Sequence, residues 1–209
     1  MSLLAVQGGA TGTGSVTLLA PSTNATQTLT LPDATGTVVS TGSTGVVTPA
    51  MLTQPLTSGT AQASTSGTSI DFTGIPSWVK RITVMFNGVS TSGTSIPIVQ
   101  LGYSSGITIA GYNGTTAYIA GTPGISSVTT GIGLGANASA NYSRYGSMSL
   151  VNVSGATWIG SYLGGITGAT EMGIGGGGIT LAGTLDRIRI TTVNGTDTFD
   201  AGSINILWE

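Results

Sequence analysis

Residues 185–209, LDRIRITTVNGTDTFDAGSINILWE, decide the fold class. Ile188 and Ile190 alternate with Arg187 and Arg189, and further on Ile204, Ile206 and Trp208 alternate with Asn205 and Leu207. An apolar residue at every second position marks a strand with one buried face. Between the two runs, Asn194-Gly195 supplies the positive φ angles of a tight turn, and Asp197 to Gly202 reads as a second turn. The stretch therefore predicts a terminal antiparallel hairpin. Trp208, one residue from the carboxylate, predicts that this end is packed into a sheet.

Composition narrows what such a sheet can do. Of 209 residues only 6% are charged, seven acids against five bases, where an average soluble domain carries roughly 25%. With a net charge of -2 and no basic stripe to neutralise phosphates, no nucleic-acid partner is expected. The chain has no cysteine and no histidine, which removes disulfide frameworks, zinc sites, and Ser-His-Asp or Cys-His catalysis together. No cofactor is implied and no enzymatic activity is expected, since few groups remain for acid-base work. Hydrophobic residues make up 39% and 35 positions are glycine, so Thr, Ser, Asn and Gly must supply the polar surface of a folded protein. MSLLAVQGGA lacks a basic start and a long apolar run, and no segment is apolar enough to cross a bilayer. No membrane association and no export by a cleavable signal are expected.

Residues 1–60 read as a segment unable to close a core alone. Short β-like pieces, SVTLLA, TQTLTL and GTVVS, are separated by Pro21-Ser22 and Pro32-Asp33. Their apolar positions Val16, Leu18, Leu29, Leu31, Val38 and Val39 would be buried where copies of the segment wrap around one another or lie on a partner. Thr48-Pro49 then opens one short helix over about 49–53, in which Met51 and Leu52 join the packing of this anchor. Thr57 to Thr68, TSGTAQASTSGT, is a linker or solvated edge. Residues 61–209 form the second domain, whose strands begin at about Ser69. VKRITVMFNGV, with Ile82, Val84 and Phe86 inward, is its strongest strand. Regular short strands with Gly and Asn turns predict an all-β chain, an extended anchor followed by an antiparallel, jelly-roll-like β-sandwich.

Gly111 to Tyr145 reads as long loops rich in Tyr and Asn: Tyr112, Asn113, Tyr118, Asn137, Asn141, Tyr142 and Tyr145. Tyr supplies rigid amphipathic contact area and Asn adaptable hydrogen bonding, the composition of binding loops. Ordinary surface loops have it too. GIGGGG contains G-x-G-x-x-G at Gly173, Gly175 and Gly178, but no helix follows, so a close-packed β-turn is expected. Asp186, Asp197 and Asp200 read as turn and ion-pair residues and no metal site is expected. Asp71 and Glu171 are too isolated to form a glycosidase pair. Trp78 and Trp158 read as core or intersubunit packing.

Two regions together resemble a known family. APSTNATQTLTLPDATGTVVSTG resembles the β-wrapping segment near the N-terminus of tailed-bacteriophage fibre and appendage proteins. SGTSIDFTGIPSWVKRITVMFNGVSTSGTS, with residues 185–209, resembles the C-terminal domain of phage tail-fibre-like proteins. The resemblance implies a homotrimeric virion protein whose N-terminal part attaches to other capsid or tail proteins and whose β-domain projects outward, where it could meet cell-surface carbohydrate. With no extended shaft, the chain fits a short head fibre or capsid decoration protein, with a tail fibre or tail-tip receptor-binding protein, or a free carbohydrate-binding module, as alternatives.

Overall fold

The two alternating runs of residues 185–209 do fold as strands, but they lie in different sheets. A computed structural model of the chain describes residues 52–209. The strands are β1 (Thr57–Ser58), β2 (Gln62–Ala63), β3 (Ile70–Thr73), β4 (Arg81–Thr91), β5 (Pro97–Tyr103), β6 (Gly106–Ile107) and β7 (Asn113–Ile119). They continue as β8 (Gly124–Val128), β9 (Ile132–Gly133), β10 (Ser143–Ser154), β11 (Thr157–Thr167), β12 (Glu171–Thr180), β13 (Leu185–Thr192) and β14 (Phe199–Trp208). There is no helix among the described residues. The large sheet runs β1-β14-β4-β10-β11-β12-β7-β8, with β2 also on β14. The small sheet runs β3-β13-β5-β6, with β9 also on β5. Every pairing is antiparallel. This is the sandwich the alternation predicts.

The expected terminal hairpin is corrected to a crossover. β13 pairs with β3 and β5, whereas β14 pairs with β1, β2 and β4. The Asn194-Gly195 turn is where the chain leaves one sheet for the other. Gly195 has φ +68°. Asn194 Oδ1 accepts from Thr192 Oγ1 at 2.7 Å and from the N–H groups of Thr196 and Asp197 at 3.1 and 3.3 Å. Asp197 accepts from Asn194 Nδ2 at 2.7 Å and from the Ser95 N–H at 2.9 Å, so the corner is held by side chains. No second turn fills Asp197 to Gly202. Strand β14 already starts at Phe199 and carries two register shifts, with Gly202 at φ +93° as the residue that permits the bulge.

Between the sheets lies one core. Ile82, Val84 and Phe86 of β4, Met148 and Leu150 of β10, Ile188 and Ile190 of β13, and Ile204 and Ile206 of β14 are all buried on its two inner faces. Trp158 is buried in this core, and Trp78 and Trp208 pack against its margin. Phe86 and Tyr162 meet edge to face at 5.8 Å. Each fully buried Ile or Leu contributes about 1.5–3 kcal/mol by leaving water.

The glycine run is also corrected. Residues 173–178 form the middle of strand β12, not a turn. Gly173 and Gly175 face inward, where the backbone of residues 133–135 passes close by. A Cβ on Gly173 would lie 3.0 Å from the Leu134 carbonyl oxygen, and one on Gly175 would overlap the Gly133 carbonyl. The glycines therefore let β9, which pairs with β5 of the small sheet, lie directly on the large one.

The stretch expected as a linker contributes β1 and β2, whose partners on β14 are Trp208, Leu207, Ile204 and Ser203. Strand pairing thus begins at Thr57, before the boundary placed at residue 60. Val16, Leu18, Leu29, Leu31, Val38, Val39 and Met51 lie outside the described residues, as does most of the expected helix. Its described end, Leu52 and Thr53, is exposed and not helical.

Candidate functional site

The fold divides the Tyr and Asn residues expected at a ligand, and residues 111–145 hold β7, β8 and β9 as well as loops. Tyr112 is a correction: it is 2% exposed, inside the core. Its hydroxyl accepts the Leu101 N–H at 2.6 Å and donates to the Thr108 carbonyl at 3.1 Å. Burial pushes its pKa up to about 12, with the Leu101 N–H pulling the other way. Asn113 is exposed but stands opposite Gly178, at the far end of β7 from the others.

Tyr118, Asn137, Asn141, Tyr142 and Tyr145 belong to the other end, around the turn joining β11 to β12. Tyr118 pairs with Gly173 and Tyr145 with Gly165, both near that turn. Gly168, at φ +88°, lets the Asn137–Tyr142 loop settle on the turn. A Cβ there would collide with the Asn141 carbonyl and stand 3.4 Å from the Tyr142 ring. Thr170 has φ +48°, the only left-handed non-glycine among the described residues. For a β-branched residue that conformation costs about 1–2 kcal/mol, a strain of the kind concentrated at functional loops.

One buried cation organises this end. Arg144 is fully buried on the inner face of β10, two positions before Gly146 and in step with Met148 and Leu150. Its Nη2 donates to the Asn137 carbonyl at 2.6 Å, while Nε reaches the Leu134 carbonyl at 3.4 Å. Asn137 Nδ2 in turn donates to both Glu171 oxygens, at 2.8 and 3.1 Å. No carboxylate of the described residues forms an ion pair with Arg144, and its Nη1 has no partner among them. Burial lowers its pKa to about 10, against the opposing pull of Tyr162, Glu171 and Tyr142. The loop is thus anchored from below by a guanidinium and from the side by a carboxylate.

Over the turn opens a cavity of about 520 Å³, lined by Ile119, Ile166 and Met172 together with Thr167, Thr170 and Glu171. An apolar floor thus stands beside hydroxyls and a carboxylate. Glu171 stands there without a second acid. Asp71 is held by Arg189 in a bidentate pair with both contacts at 2.7 Å. Asp186 is held by Arg187 at 2.7 and 3.1 Å, which keeps its pKa below the ordinary carboxylate value. Among the described residues no group of three Asp or Glu residues is placed to hold a metal ion.

Thr170, Arg144 and the Ile119–Met172 floor were not among the residues expected at the site. For Arg144 the signal was present: in SRYGSMSL it has the same parity as Met148 and Leu150, which places it inward. Nothing local marks Thr170, because its φ follows from the length of a turn between two strands whose pairing is not written in the dipeptide. No family model, curated protein or solved structure matches this chain.

Proposed function

We propose that this chain is a non-enzymatic structural protein of a tailed-phage virion: a short homotrimeric fibre or decoration protein, held to the capsid through residues 1–60, whose β-sandwich binds a neutral host-surface glycan at its loop end. The observation that carries the reading is the loop end itself. Tyr142, Asn141 and Asn137 are pinned beside an apolar floor and one carboxylate, by Arg144 from inside and by Gly168 from below. A pre-ordered polar rim over aliphatic contact area binds without first paying for loop ordering. The engagement of Asp71 and Asp186 with arginines supports a binding role over a hydrolytic one, because Glu171 has no second free acid beside it. A carboxylate at the rim favours neutral over anionic sugars. Three such ends on one fibre, and many fibres on one particle, would turn weak single contacts into useful avidity.

Because the site lies wholly within the described β-domain, a free carbohydrate-binding module is the second reading. Two measurements separate them. Purified phage particles from cells expressing the gene are examined for the intact chain by peptide mass spectrometry, and the full chain is screened against neutral glycans by titration. Presence in the particle supports the virion reading, and its consistent absence overturns it. Glycan binding that Glu171→Ala weakens at least about tenfold, a loss of 1.4 kcal/mol, supports the site. Binding unaffected by Glu171→Ala moves the site elsewhere.

A further inference from the structure

The outer face of the large sheet is a broad surface without charge at its centre. One row across it reads Ser147, Leu163, Ile174, Ala117 and Ile125, from β10 through β11, β12 and β7 to β8. The next row reads Ser149, Ser161, Gly176, Thr115 and Ser127. Continued onto β4 and β14, these rows add Met85 and Thr83, then Asn205 and Leu207, still with no ionisable group. Leu163 is 58% exposed and Ile125 76%. Aliphatic side chains at that exposure on an uncharged sheet face are a surface made to be covered.

The glycines sharpen this. Gly173, Gly175 and Gly177 face neighbouring backbone that would collide with a side chain. Gly176 points outward, and a Cβ there would meet nothing nearer than the Gly160 carbonyl at 3.8 Å. The chain's own packing gives no reason for glycine at 176, where any side chain would strengthen the strand. Glycine there leaves a recess on the face. Beside Gly176, Ala117, Ile125 and Ile174 line a groove of about 220 Å³.

We propose that this face is covered by another copy of the same chain, with the Leu163 and Ile125 side chains as knobs and the groove at Gly176 as their receptor. A face carrying both knob and socket is self-complementary, and a copy brings an equally uncharged surface, so no charge is stripped of water. The size is sufficient. The next row, Val151, Ile159, Gly178 and Asn113, ends on Arg81 at the face's corner, where it pairs with Glu209. With strands spaced at about 4.8 Å, the three rows present about 620 Å² per copy, or about 1,200 Å² in total, at the lower end of the range of specific interfaces. The row Tyr145, Gly165, Met172 and Ile119 lies at the rim and leaves the loop end open. This contact is independent of the virion reading, which places self-association in residues 1–60.

The test uses the full chain and two variants, Leu163→Lys with Ile125→Lys, and Gly176→Thr. Ile109→Lys, at an exposed residue away from this face, is the control. Sedimentation across a concentration series should show the wild type and the control associating alike, and both face variants at least about tenfold more weakly. At concentrations too low for association, Gly176→Thr should also melt no lower than wild type, which separates a lost contact from a damaged fold. Because residues 1–60 could hold copies together by themselves, hydroxyl-radical labelling provides a second readout. Met85 and Ile159 should label several-fold more slowly in the wild type than in the double variant, with Ile109 unchanged. A monomeric wild type, or equal labelling of Met85 and Ile159 in wild type and double variant, overturns the proposal. Neither result bears on whether the chain is found in particles.

Discussion

The two sheets share a core but turn different faces outward. The small sheet displays Asp71, Arg187 and Arg189, with Asp186 at its margin, in two side-chain ion pairs. The large sheet, with nearly twice as many strands, displays Ser, Thr, Gly and aliphatic residues at its centre, and its outward charges lie near strand ends, at Arg81 and Asp200. Pairs that are a third exposed contribute only about 0–1 kcal/mol each. They are therefore a poor explanation of how the fold is held together and a good one of which side meets water. In a chain with five basic residues, two of them lie on one short strand, which leaves the large sheet's outer face the less charged of the two.

The inner faces differ as well. Toward the small sheet, the buried Tyr112 hydroxyl bonds to β5 and to the Thr108 carbonyl. On the large sheet, the buried Tyr162 hydroxyl has no partner among the described residues, and neither does Arg144 Nη1. Thr130 Oγ1, beside Gln100 of β5, lacks a partner as well, so the contrast lies between the two tyrosines: the Tyr112 hydroxyl is paired and the Tyr162 hydroxyl, beneath the loop end, is not.

The substitution that should break the sandwich most severely is Gly175→Val. It forces a branched side chain into the Gly133 carbonyl, where β9 crosses from the small sheet. Backbone cannot move aside as a flexible side chain can, so the expected loss is at least about 3 kcal/mol, seen as a lower denaturant midpoint or failure to fold. Gly176→Thr, one residue away on the outer face, should cost nothing. If the two behave alike, the distinction between inner and outer glycines fails.

Tyr112→Phe ranks next, with an expected loss of about 1–3 kcal/mol, because it removes a buried hydroxyl that both accepts from Leu101 and donates to Thr108. Urea titration reads it directly. A loss no larger than that of an exposed Tyr145→Phe would show that Tyr112 does not tie β5 to the chain that leads into β7.

How far the fold could be read from sequence follows from the same contrast. Period-two alternation in residues 81–91 and 185–192 gives the strands and their buried sides, because that signal is local. It does not give partners. Ile188 with Ile190 and Ile204 with Ile206 carry the same pattern whether the runs pair with each other or, as they do, with strands about a hundred residues away. GIGGGG fails for a related reason, since a turn and a strand can share one composition, and what decides is Leu134 and Gly133 lying across it. At the site, Asn137, Asn141 and Tyr142 were legible from composition. Tyr112 was misplaced because β7 extends back to Asn113, which gives Tyr112 the inward parity of Gly114 and Thr116.

Tyr162→Phe is the smallest effect and the one with the opposite sign. It removes an oxygen that was stripped of water without gaining a bond, so stability at neutral pH should rise by about 0.5–1 kcal/mol where Tyr112→Phe lowers it. Alkaline titration adds a second axis. Burial raises the Tyr162 pKa from 10.0 to about 12, with Arg144 opposing, and Tyr112 is raised to the same value. An acid whose folded pKa lies above its unfolded one contributes stability that is complete below pH 10 and lost as pH rises toward 12, because the unfolded chain ionises first. Arg144 runs the other way: with a folded pKa near 10, below the ordinary guanidinium value it has when unfolded, it releases its proton sooner in the folded state and offsets part of that loss. Two tyrosines outweigh one arginine, so wild-type stability should fall between pH 10 and 12. The Tyr162→Phe chain, relieved of one tyrosine, should fall less steeply. If its alkaline slope equals that of the wild type, the Tyr162 hydroxyl is in contact with water, and the contrast between a paired and an unpaired tyrosine disappears.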